Sequence, residues 1–152
     1  MTPRSRIESF IAEPALAVVG VSRSGRGFGN AAVRALAEKG YRVHPVHPVL
    51  QRVCGIPCFR SFADLPEPIN AALVVVPPSQ AVGVVRAAAA AGIRRVWLQQ
   101  GAESPWVLRV CADLGLETVA GECILMYTKP TGVHRFHRWI HDVFAPPTPV
   151  AP

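Results

Sequence analysis

Short apolar runs alternate along this chain with longer stretches in which apolar residues recur every three or four positions. The runs are Ala15–Val19, Tyr41–Val46, Ala71–Val76, Arg95–Leu98 and Glu117–Val119. They are β-branched and apolar on both sides, as strands are in a parallel sheet covered on both faces. Helical periodicity runs through Arg4–Ala12, Asn30–Lys39, Ser79–Ala91, Pro105–Leu114 and Val133–Phe144. Gly40, Gly92 and Gly115 each stand just past a helix, where a left-handed cap is wanted. Strands alternating with helices predict a doubly wound α/β fold, Rossmann-like, with a mostly parallel sheet of about five strands. Residues 1–144 read as one domain. The Pro-rich tail, 145–152, reads as disordered.

Composition narrows the function classes. The chain has 152 residues, half of them hydrophobic. That is the size of one ordinary domain with a real core. No apolar run approaches the ~18 residues of a membrane span. The N-terminus lacks the apolar core of a signal peptide, so no membrane role and a cytoplasmic location are expected. The net charge is +6, from 14 Arg and 2 Lys against 10 acidic residues. The Arg residues are scattered, with no run longer than Arg94-Arg95 and no interleaved aromatics, so nucleic acid is not the expected partner. A polyanionic small ligand accounts for the charge equally well. Cys54, Cys58, Cys111 and Cys123 lack the two close pairs of a zinc site, and no metal is expected.

In doubly wound sheets, ligands bind beyond the carboxyl ends of the strands. The first of these ends is the most informative. The run Ala15–Val19 empties into Gly20, and a loop with glycines at 25, 27 and 29 leads into a helix. Strand, glycine-rich turn and helix start together bind phosphate, because first-turn N–H groups lack partners and the helix dipole favours an anion. A valine at position 20 is expected to fill the space a pyrophosphate needs. Nicotinamide dinucleotide domains place G-x-G-x-x-G here and an acidic residue after the second strand. This chain has neither. Its second strand ends in His44-Pro-Val-His-Pro48, with Arg42 and Arg26 expected nearby. NAD is therefore disfavoured, and a ligand with an extra ribose phosphate is favoured. NADP and coenzyme A both qualify.

Gly20-Val-Ser22, Pro45-Val-His-Pro48, Val76-Pro-Pro-Ser79 and Trp97-Leu-Gln-Gln-Gly101 follow one another at strand ends. In that order, and with Gly121-Glu-Cys-Ile-Leu-Met126, they resemble the CoA-binding domain proteins. Those are small stand-alone relatives of the CoA-binding domain in the succinyl-CoA synthetase α subunit. The resemblance spans roughly residues 5 to 144. It implies a Rossmann-like domain with coenzyme A in a groove across the strand ends. Gly20, Val21 and Ser22, with Gly27, Phe28 and Asn30 at the helix start, would take the pyrophosphate, and Arg26 would add charge. Val46 and His47 would contact the adenosine end. Val76, Pro77 and Pro78 would form an apolar wall. Ser79 would cap the next helix and offer an N–H. Gln99 and Gly101 would meet the pantetheine arm.

Catalytic residues are not expected. The phosphohistidine of the larger synthetases lies in a second domain with no counterpart here. His134, His137 and His141 share a helix face and read as a polar surface rather than a metal site. Cys123 reads as a packed thiol, and Glu103 and Glu122 as capping or surface carboxylates. Ser22 reads as a donor to phosphate. The chain is thus expected to bind coenzyme A or a short acyl-CoA as a carrier, sensor or accessory subunit. It would act as a monomer or small homo-oligomer, with an acyl-CoA enzyme as a partner to consider. The alternatives are an NAD(P)-binding oxidoreductase or redox sensor, and the CoA-binding subunit of a split acyl-CoA ligase.

Overall fold

The computed structural model describes residues 2–128. Expectations for Val133–Phe144, its three histidines and the tail lie outside these residues. The elements in chain order are α1 (Arg4–Ile11), β1 (Ala15–Val19), α2 (Phe28–Glu38), β2 (Arg42–Val46), β3 (Arg52–Val53) and β4 (Ile56–Pro57). Then come β5 (Ala71–Val74), α3 (Pro78–Ala90), β6 (Arg95–Leu98), α4 (Pro105–Asp113) and β7 (Glu117–Ala120). Single 3₁₀ turns lie at Phe62–Asp64 and Ile124–Met126.

Five strands form an all-parallel sheet in the order β2-β1-β5-β6-β7. The α/β doubly wound architecture is as the alternation predicts. Helices α1 and α2 cover one face, where Ile7, Phe10, Ala32, Val33 and Leu36 pack on Leu16, Val18, Leu73 and Trp97. Helices α3 and α4 cover the other, with Ala81, Val85, Ala88, Val107 and Val110 packed on Ala17, Val74, Val96 and Leu98. Both faces of each inner strand are therefore dry, which is why the strands are apolar throughout. Gly40, Gly92 and Gly115 carry positive φ, as their cap positions require.

Trp97 is fully buried. It meets Phe10 edge-on at 5.3 Å and Tyr127 at 5.8 Å, and its indole N–H donates to the Glu122 carbonyl at 2.9 Å. Trp106, by contrast, is 56% exposed on α4.

The hairpin of β3 and β4 was not legible as an element. Its strands have two residues each, and its turn is Cys54-Gly55, both at positive φ. Such a turn favours Asn-Gly, so cysteine there gives no signal. The segment after it adds Phe59 to the sheet edge through a parallel bridge to Val46.

Arg42 does not approach the ligand edge. It begins β2, and its backbone N–H donates to Pro14 ahead of β1. Four residues of strand, roughly 13 Å, separate it from the carboxyl end. Its guanidinium instead pairs with Glu67 at 2.8 Å, and the His44 ring contacts the same carboxylate at 2.9 Å. Hydrogen bonds from Arg42 and then His44 hold the Glu67 carboxyl down to about 2, from an ordinary 4.5. A depressed carboxyl stabilises the fold above its unfolded value, and that contribution is lost as pH falls from about 4.5 toward 2. Melting curves of the wild type are expected to shift downward through that window. Glu67→Gln should show a smaller downward shift there, because it has no carboxylate left to protonate.

Candidate functional site

In the strand order β2-β1-β5-β6-β7, the chain leaves β1 toward one edge and β5 toward the other. The reversal falls between these two strands, and crevices at such points receive ligands. Here they adjoin through the Val75 N–H, which donates to the Val19 carbonyl at 2.8 Å. Helices α2 and α3 start from this point on opposite faces of the sheet.

The fit between the two sides is close enough to exclude any side chain. A Cβ on Gly20, whose φ is +115°, would sit 1.9 Å from the Val75 carbonyl oxygen. A Cβ on Gly29 would sit 2.2 Å from the Gly20 carbonyl oxygen. Gly20 thus lets the turn pass β5, and Gly29 lets α2 press onto that turn.

Asn30 is 4% exposed and holds the loop in shape. Its Oδ1 accepts from the Ser22 N–H at 2.8 Å, and its Nδ2 donates to the Ser22 carbonyl at 3.1 Å. The Ser22 hydroxyl donates to the Arg26 carbonyl at 2.6 Å. Both donors of Ser22 are therefore occupied within the loop, and neither points to a phosphate. Helix α2 itself begins at Gly27 with no side-chain cap, leaving its first-turn N–H groups without capping acceptors. Arg23 and Arg26 are exposed beside it, with no side-chain hydrogen bond or ion pair to another described residue. Arg23 was missed in the sequence because no spacing rule distinguishes it from the other scattered arginines. Phe28, at the first helical position, half-buries its ring against the α1–α2 face. Val21 is buried in that same core, where it supports the turn.

Across the crevice, Val75, Val76 and Pro77 face Gln99, Gln100, Gly101 and Ala102 around a cleft of about 270 Å³. The structure thus brings Val76, Pro77, Gln99 and Gly101 together. Gln99 is only 5% exposed, and its Oε1 accepts the Ile124 N–H at 3.1 Å, tying the segment after β7 to the end of β6. The Gly101 N–H donates to Glu103 Oε2 at 3.0 Å. Pro78 is the first residue of α3, where its missing N–H costs nothing. Ser79 lies inside α3 and makes no cap, because Pro77 occupies that position. Val46, expected at the adenosine end, is 8% exposed. It is buried with Phe62 and Ile69 because the bridging segment folds over the sheet edge. His47, the next residue, is half-buried at the end of β2.

The remaining candidates for chemistry have structural partners. Glu122 accepts from the Tyr127 hydroxyl at 2.7 Å. Cys111 is buried on α4, and its thiol is pushed up by desolvation. Cys123 is half-buried. Among the described residues, no three His, Cys, Asp or Glu side chains group as metal ligands, and no helix is long and apolar enough to cross a membrane.

Comparison with known proteins assigns the fold and these loops to a family. A family model described as a CoA binding domain matches residues 15–129, from the first strand through the segment after β7. The chain belongs to the CoA binding domain family. A conserved hypothetical protein of Pyrococcus furiosus is 35% identical with a TM-score of 0.69, covering 74% of this chain and 97% of that one. A hypothetical protein of Pyrococcus horikoshii OT3 is 26% identical with a TM-score of 0.74, covering 92% and 93%. An ADP-forming acetate–CoA ligase of Methanocaldococcus jannaschii is 29% identical over 62 residues, which are 41% of this chain and 9% of the ligase. The chain is thus similar over most of its length to chains of its own size, and spans about a tenth of the ligase it matches in part.

The uncapped start of α2, with Arg23 and Arg26, offers N–H groups and positive charge to an anion. The cleft lined by Val76, Pro77 and Gly101 is open and partly apolar.

Proposed function

We propose that this chain binds coenzyme A, or a short acyl-CoA, across the carboxyl ends of its strands and performs no catalysis alone. The family match over residues 15–129 carries the reading. The geometry supports it with an uncapped helix start and exposed arginines at the switch point, adjoining an open, partly apolar cleft. In this reading Arg23, Arg26, Gly27 and Phe28 hold the pyrophosphate. His47 stands at the adenosine end, and Val76, Pro77 and Gly101 line the path of the pantetheine. Gly20, Val21, Ser22, Asn30, Val46 and Gln99 build the walls.

Glu103 accepts from the Gly101 N–H and Glu122 from the Tyr127 hydroxyl. A nucleophile with an adjacent free base is what acyl transfer would need. A carrier, sensor or accessory role fits better. The partial match to an acetate–CoA ligase favours one second reading, in which the chain presents its ligand to an acyl-CoA enzyme.

Denaturing the purified protein and identifying the released small molecules by mass spectrometry tests the reading. Coenzyme A or an acyl-CoA is the expected species. Release of NAD or NADP alone would contradict it.

A further inference from the structure

The segment after β7 ends at a firmly held point. Thr128 is buried. Its hydroxyl donates to the Ile124 carbonyl at 3.1 Å and accepts from Lys39 Nζ at 2.7 Å, and the same ammonium donates to the Thr128 carbonyl. Tyr127, just before it, packs on Trp97. The residues beyond Thr128 therefore start from a definite place on the α1–α2 face of the sheet.

That place borders a groove. Helix α1 and the segment 122–128 enclose a cavity of about 840 Å³, and Thr128 itself lines it. Pro3, Ile7 and Ile11, each four residues from the next, supply apolar surface on the α1 side. Met126 lines the groove from the other segment and is 77% exposed. Exposed apolar surface that adjoins an apolar groove marks a place where another element docks.

The next stretch of the sequence has the complementary pattern. Val133, Phe136, Ile140 and Phe144 recur at intervals of three and four, so in a helix they share one face. Their four-residue spacing matches that of Pro3, Ile7 and Ile11, as in the commonest packing of two helices. Residues 133–144 as a helix would be ~18 Å long, against ~12 Å for α1. Four residues, 129–132, join Thr128 to Val133, so Val133 lies within roughly 18 Å of Thr128. So short a tether holds the segment at an effective concentration on the order of millimolar, which favours it over a separate molecule. The family match ends at residue 129 and assigns nothing to this stretch.

We propose that residues 133–144 form an amphipathic helix that docks its Phe136–Ile140–Phe144 face into the groove between α1 and residues 122–128 of the same chain.

NMR of the whole chain, with carbon-13 in the isoleucine and methionine methyl groups, tests the placement. Nuclear Overhauser contacts are expected from the Ile11 and Met126 methyls to the rings of Phe136 or Phe144. Their absence would overturn the proposal. In a mixture of labelled and unlabelled chains, isotope-filtered spectra should show no such contact between chains. Contacts between chains would give the groove to a second copy and overturn docking within one chain. Amide hydrogen exchange gives a second reading. Amides in 136–144 should exchange about a hundredfold more slowly than in an unstructured chain. Phe136→Asp/Ile140→Asp should abolish that protection while the β1 and β5 amides keep theirs. Protection of 136–144 that survives the double substitution would also overturn the proposal.

Discussion

Gly20→Val is expected to disrupt the fold itself, not merely to obstruct a ligand. The new Cβ would lie 1.9 Å from the Val75 carbonyl oxygen and 2.5 Å from its carbon, both backbone atoms of the residue just past the central strand β5. Neither can rotate away as a side-chain tip would. The backbone at φ +115° is also strained for any residue with a Cβ, most of all a β-branched one. Overpacking and strain together should cost about 3 kcal/mol or more, lowering the melting temperature by about 10 °C. Gly29→Ala should act in the same direction, because its Cβ would meet the Gly20 carbonyl at 2.2 Å. Thermal melts followed by circular dichroism check both. Melting of Gly20→Val at the wild-type temperature would mean that the β1 turn and β5 are not in this contact. The sequence had suggested that a valine here would fill the space for a pyrophosphate. The nearest neighbour is protein, so this substitution reports on the fold.

Charge reversal at Arg23 and Arg26 is expected to remove coenzyme A binding while leaving the fold intact. Both residues are exposed, and their side chains bond to no other described residue. Their replacement by glutamate therefore breaks no contact of the folded chain. At the α2 start, however, the exchange turns two attractions for a pyrophosphate into two repulsions. The affinity of Arg23→Glu/Arg26→Glu should fall about a hundredfold at low salt, with an unchanged melting temperature. Raising ionic strength should weaken wild-type binding and narrow the gap. Wild-type affinity in the double variant would place the anion elsewhere.

The strand–helix order was readable because each inner strand is covered twice, and this forces continuous β-branched runs. Helix ends were readable to within two residues from Gly40, Gly92 and Gly115. The switch point could be anticipated from the loop motifs, and the structure brings Val76, Pro77, Gln99 and Gly101 to one cleft. Individual roles were less readable. Serine and asparagine satisfy a phosphate and a loop backbone with the same atoms. Nothing in Ser22 or Asn30 alone shows that they bond to each other. Val46 was expected to contact the adenosine end, yet the segment after the β3–β4 excursion returns Phe59 to the sheet edge beside it, and Val46 is buried. That excursion was hidden because two-residue strands carry no periodicity. Arg42 was close to His47 in sequence but belongs to the opposite end of the strand. The His47 ring accepts the Val49 and Leu50 amides, a turn that nothing in its sequence position announces.

The central claim is that this switch point holds coenzyme A. Isothermal titration of the ligand-stripped protein with coenzyme A, NAD and NADP, side by side in one buffer, tests it most directly. Saturable one-site binding of coenzyme A, with NAD and NADP far weaker, is the predicted result. Tight binding of NAD or NADP with no heat from coenzyme A would contradict it.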